Sequence, residues 1–121
     1  MNPLLDFSGL PRFADIKTEH VTPAVDTLLT ECSAVIERVA ADATPATWRE
    51  FIEPLENANE HLGRAWGQVS HLNAVMNSTA LREVYNVNLP KLTAYYTELG
   101  QNEQLFNKYK ILRSSSEFAA L

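Results

Sequence analysis

The chain has 121 residues and a formal net charge of -5, with 45% apolar and 21% charged residues. That is enough chain for one domain that buries roughly two-thirds of its unfolded surface, with the composition of a globular protein rather than a disordered one. Basic residues are scattered singly, which removes the electrostatic footing for nucleic acid or an anionic membrane, and no run approaches the ~18 apolar residues of a membrane span.

Residues 1–17 predict an extended arm. Pro3 and Pro11 bias their preceding residues away from the helical region, and Gly9 adds a turn. Yet Leu4, Leu5, Phe7, Leu10, Phe13 and Ile16 make the arm too apolar for a disordered tail, so it is expected to pack into grooves of a folded body. A first helix is predicted over 22–41, with Thr22 as N-cap and Pro23 at the first helical position. Val25, Leu28, Leu29, Cys32, Val35, Ile36 and Val39 form its apolar stripe.

The longest pattern is a helix over 47–77, opened by a Thr47/Glu50 capping box. Its apolar face runs from Trp48 and Phe51 through Leu62, Ala65, Trp66 and Val69 to Val75 and Met76, which puts both tryptophans on the expected core side. Pro54 must bend this helix or split a short opening turn from a longer piece. Gly63 and Gly67 lie four apart, and each costs about 1 kcal/mol relative to alanine in a helix interior, so close approach of another helix is expected there. A third helix over 78–100 starts at Ser78, is kinked by Pro90 and ends on a left-handed Gly100. Its inner side is predicted to carry Leu81, Val84, Tyr85, Leu89, Leu92, Tyr95, Tyr96 and Leu99. A fourth spans 102–112 from an Asn102 cap. A fifth begins at Ser116 and has too few residues to hold by itself, which predicts that the natural chain continues past Leu121. The expected architecture is all-α: four to five mostly antiparallel helices in a single domain, with an extended N-terminal arm and kinks near Pro54 and Pro90.

No catalytic, cofactor-binding or metal-binding residue is predicted. Cys32 cannot form an intrachain disulfide and sits on an apolar stripe far from a cationic partner. His61 and His71, ten residues apart on one helix, are separated by roughly 15 Å along its axis, too far for two ligands that must each lie about 2 Å from a zinc ion. Glu53, Glu56 and Glu60 read as a solvated face. The four tyrosines at helical spacing read as core, with hydroxyls reaching its edge. A histidine phosphotransfer module would resemble His-x-Leu-Lys-Gly, but His71 is followed by Leu72-Asn73-Ala74-Val75. No secretory signal is read at the N-terminus, and the lone thiol fits a reducing cytoplasm.

Several segments resemble the bacterial members of the thimet oligopeptidase family of zinc metallopeptidases. They are Asn2-Pro3-Leu4-Leu5, Glu19-His20-Val21-x-Pro23-Ala24, Leu81-Arg82-Glu83, Asn88-Leu89-Pro90-Lys91 and Tyr95 to Asn102, with Phe118 and Leu121 beyond. The longest is Arg64-Ala65-Trp66-Gly67-Gln68-Val69-Ser70-His71-Leu72-Asn73-Ala74-Val75. Thr18 and Thr79 stand at helix-start positions where the resemblance expects proline. The resemblance covers the whole chain but only the first part of such an enzyme. It implies a helical lobe that helps wall a substrate channel for short peptides. Zinc would belong to the parent enzyme, held by a His-Glu-x-x-His helix outside these residues, and the partner would be the rest of the parent chain. A free-standing helical interaction module is the alternative.

Overall fold

The computed structural model describes residues 1–76 and 78–120; Asn77, expected to close the long helix, and Leu121 lie outside the described residues. Every regular element among them is helical, as expected. Two 3₁₀ turns, Pro3–Leu5 and Phe13–Asp15, punctuate the arm. Then follow α1 (Thr18–Ala40), a π-helical segment (Trp48–Ile52), α2 (Glu53–Val75), α3 (Thr79–Gly100), α4 (Glu103–Arg113) and α5 (Ser116–Ala119).

Helix α1 starts four residues before the expected Thr22. The N-cap is Lys17, extended at φ -117 and ψ 161, whose backbone N–H donates to His20 Nδ1 at 2.9 Å. Histidine thus fills the place of the glutamate in a capping box. Thr22, freed from capping, ties α1 to α3 instead: its Oγ1 accepts from Asn88 Nδ2 at 2.8 Å. Pro23 lies inside the helix rather than at its first position. Both Thr18 and Thr79 are the first residues of their helices, the one helical position where proline loses nothing.

The Pro54 problem is solved by splitting. Ile52 N–H and Glu53 N–H reach back five residues, to Thr47 O and Trp48 O, so the helix is wider just before the proline. Pro54 then falls in the first turn of α2, where it has no intrahelical bond to lose. Thr47 Oγ1 accepts from Glu50 N at 3.1 Å, and the neighbouring Trp48 N–H is taken by both oxygens of Glu117, each at 3.3 Å. Ser78, Asn102 and Ser115 cap α3, α4 and α5 in the same way as Thr47. Helix α3 runs without interruption through Pro90.

Gly100 is not left-handed, and no glycine among the described residues has positive φ. Gln101 ends α3 at φ -102 and ψ 3, its N–H shared between Thr97 O and Glu98 O, and the next residue already caps α4. With no room for a left-handed turn between the two helices, a tightened last turn satisfies the carbonyls. The Gly63/Gly67 expectation is not met among the described residues: a Cβ at either position would meet nothing within 4 Å, so no described helix packs closely onto them.

Two apolar clusters form the core. The first joins Leu4 of the arm to Val21, Val25, Leu28 and Cys32 of α1, Leu62, Ala65 and Val69 of α2, and Leu92 and Tyr95 of α3. The second joins Val39 and Ala40 at the end of α1 to Phe51, Ile52 and Leu55, and to Leu105 and Leu112 of α4. The tryptophans are not the centre of either cluster. Trp48 is 40% exposed, and Trp66 is half-buried with its ring stacked on Tyr85, centroids 4.9 Å apart. Phe51, Leu4, Leu28 and Leu62 are the largest side chains fully out of water. Val75 and Met76 at the end of α2, and Leu89 and Tyr96 on α3, are exposed against expectation, while Asn88 takes a fully buried position. Asn88 can do so because its amide N–H groups reach both Thr22 Oγ1 and Val84 O, each at 2.8 Å.

Candidate functional site

The stretch that singles this chain out, Arg64 to Val75, lies wholly on α2. Its long polar side chains work against the arm. The Arg64 guanidinium donates to Gly9 O, and its centre lies 5.8 Å from the centroid of the Phe7 ring. One turn earlier, His61 stacks on Phe7 with centroids 4.2 Å apart and planes 4° from parallel. Toward the other end of α2, His71 packs against Phe13 at 5.3 Å. Beyond the clamp, Asn2 Nδ2 donates to His20 O at 2.8 Å and Leu4 enters the core. The arm therefore lies against α2 along the His61–Arg64–His71 side, as its apolar content predicts. Leu10 is an exception at 89% exposure. Under the same segment, the Gln68 side chain is buried and its amide finds no protein partner among the described residues.

The three histidines are thus separately engaged: His20 in a helix cap, His61 and His71 in aromatic contacts with the arm. Among the described residues no group of three or more His, Cys, Asp or Glu side chains could hold a metal ion, so these residues do not fit a zinc site. None of the described helices is long and apolar enough to cross a membrane.

The buried polar centre of the first cluster is equally unsuited to nucleophilic chemistry. Cys32 is buried between α1 and α2, its thiol donating to Ala58 O at 3.3 Å. Burial pushes this thiol above its usual range, with the nearby Tyr95 hydroxyl acting the other way. A reactive cysteine needs the reverse shift. The Tyr95 hydroxyl donates to Asn59 Oδ1, and burial followed by the adjacent Cys32 raises its pKa far above that of a free tyrosine. Tyr95 is the tyrosine that matches the expected core role most fully; Tyr96 and Tyr109 keep nearly half their surface in water.

At the other end of the molecule Lys108 is buried, and its ammonium donates to Thr44 O in the turn after α1. Thr44 Oγ1 in turn donates to Arg38 O at 2.6 Å. The positive charge therefore sits by the carboxyl end of α1, where the helix dipole favours it. Periodicity alone marks Lys108, three residues after Leu105 and four before Leu112, as part of the buried stripe, but its chemistry argues for solvent. The clamp partners do leave a trace in the sequence: two aromatic residues in the arm, Phe7 and Phe13, facing two histidines ten apart on α2.

What this geometry defines is a helical scaffold with an anchored arm and without an assembled reaction centre among the described residues. The family model of the neurolysin/thimet oligopeptidase N-terminal domain matches residues 25–121, and the chain belongs to that family. Along nearly its whole length it is similar to oligopeptidase A of Haemophilus influenzae, with 50% identity over 118 residues covering 98% of this chain and 17% of the relative. Oligopeptidase A of Salmonella typhimurium is 46% identical over 120 residues, covering 99% of this chain and 18% of the relative. An organellar, chloroplastic/mitochondrial oligopeptidase A of Arabidopsis thaliana is 32% identical over 120 residues, 99% of this chain and 15% of that protein. The chain thus corresponds to the N-terminal domain of an oligopeptidase A-like peptidase and spans under a fifth of the length of these relatives.

Proposed function

We propose that this chain is the N-terminal helical domain of a zinc-dependent oligopeptidase that hydrolyses short peptides in the cytoplasm. In this reading it walls part of the substrate channel while residues outside it hold the metal and perform the chemistry. The observation that carries it is the match of residues 25–121 to an N-terminal domain, together with 50% identity confined to 17% of a relative named as an oligopeptidase. The separately engaged histidines support the division of labour: each ring is committed to a helix cap or to the arm. When bound, zinc would polarise the scissile carbonyl and activate water, as it does in peptidases generally. This chain's own residues contribute rigidity and shape.

A quenched fluorogenic peptide of about eight residues tests the proposal. The 121-residue chain should release no fluorescence with or without added zinc, whereas the polypeptide extended to the length of its relatives should cleave it and lose that activity to a chelator. Zinc-dependent turnover by the short chain, or none by the long one, would overturn it.

A further inference from the structure

The second apolar cluster is covered incompletely. Its outer side carries Trp48, Phe106, Tyr109 and Phe118, which expose 40%, 61%, 45% and 46% of their surface. Single exposed aromatics are ordinary on a monomer, but contiguous ones are not. Here they adjoin. A depression of about 510 Å³ between α2, the end of α3 and α4 is lined by Leu55, Leu99, Leu105 and Phe106, with Asn59 and Asn102 as its polar groups. A second, of about 320 Å³, is lined by Trp48, Ile52, Leu112 and Phe118, and both share Glu56 and Tyr109. The result is one continuous trough, mixed in its first half and mainly apolar in its second, where Glu56 and Arg113 are the charged lining groups.

The last helix lies on this trough. Helix α5 places Phe118 in its lining and hands the Glu117 carboxylate to Trp48 N–H, so α5 itself ends at the trough's own edge. The relatives carry more than four-fifths of their length outside the part matched here. We propose that the trough from Leu99 through Tyr109 to Phe118 is the seat of the segment that follows residue 121 in chains of the relatives' length. That segment would be amphipathic, with its apolar side against the aromatics. Its short connection to α5 holds it at high effective concentration, so it out-competes a second copy of the chain. The inference rests on the reading that the protein is the N-terminal part of a longer peptidase.

Hydrogen exchange on the 121-residue chain and on the full-length chain, measured at equal low micromolar concentration, tests this. Amides of 47–52 and 104–118 should exchange at least tenfold more slowly in the full-length chain. Amides of 24–32, already in the closed cluster of both, should change less than twofold. Equal exchange of 47–52 and 104–118 in the two chains would overturn the inference. So would slowing of the same amides in the short chain as its concentration is raised, because that would seat a second copy there. Peptide cleavage in the same full-length sample reports on the parent reading separately: an active enzyme without protection sinks only the trough. As a second measurement, Phe106→Asp should leave the melting midpoint of the short chain within about 2 °C, the expectation for an exposed site. It should lower that of the full-length chain by more than twice as much, and equal shifts in the two would count against the seat.

Discussion

The two ends of this small helical body reach closure by different means. Around Leu28, Leu62 and Val69, three long helices meet, and the arm lays Leu4 over them. Around Phe51 and Leu105, the cover comes from α4 and α5, of 11 and 4 residues, and aromatic surface remains in water. Short helices hold little structure by themselves and depend on what they pack against. Burial of the central atoms is therefore not the measure of a finished core: Phe51 is as fully buried as Leu62, yet its surroundings are open on one side. The second end should open at lower free energy than the first.

The largest expected effect tests which end holds the fold. Leu62→Ala should lower the free energy of unfolding by about 3 kcal/mol in a urea titration, as for other leucines deleted from closed cores. A loss under about 1 kcal/mol would mean that the first cluster collapses onto the gap and is no tighter than the second. The next effect lies in alkali. Burial favours the neutral Tyr95 phenol in the folded protein, so its pKa is raised above the unfolded value. Its contribution is fully present below about pH 10 and is lost as pH rises beyond it, by about 1 kcal/mol per unit. Raised by burial in the same sense, the Cys32 thiol begins this decline slightly earlier. Urea midpoints at pH 8 to 11 would record the fall, and Tyr95→Phe should make it shallower without abolishing it, since burial raises Cys32, Tyr96 and Tyr109 in the same sense; an unchanged slope would remove Tyr95 as a cause. The smallest effect concerns the clamp. Arg64→Ala should cost about 1 kcal/mol, the sum of a hydrogen bond and a cation–π contact at a partly exposed site. It should also speed tryptic cleavage after Arg12 several-fold while leaving cleavage within α3 unchanged.

Much of this fold is legible in the residues. The apolar stripes locate α1, α2 and α3, and the oxygen-bearing caps Thr47, Ser78 and Asn102 stand where the helices begin. The misses share a physical origin: each is decided by a contact distant in sequence or by a competing local bond. Thr22 and Pro23 look like a helix start, yet a histidine three residues after Lys17 captures the earlier N–H, and Thr22 is drawn to Asn88, 66 residues away. Thr18, singled out by the resemblance as a helix-start position, is the better guide. Gly100 loses its left-handed turn to the immediate demand of the Asn102 cap. Trp48 and Trp66 are large enough to lead a core, but area alone does not say whether a second surface exists to cover them. The candidate site is legible as a string of letters and not as a clamp, because Phe7, Gly9 and Phe13 meet α2 only in three dimensions.

The seating of Leu4 carries a consequence for how the chain comes to be made. The arm is synthesised before its partners, for the turn that carries Leu4 packs against α1 and α2. On the ribosome the arm's apolar residues must therefore wait until α2, which ends at Val75, has followed them, a delay of several seconds at ordinary elongation rates. A bulky fusion ahead of Met1 would thus act on the docking of the arm once α2 is made, rather than on the first helix.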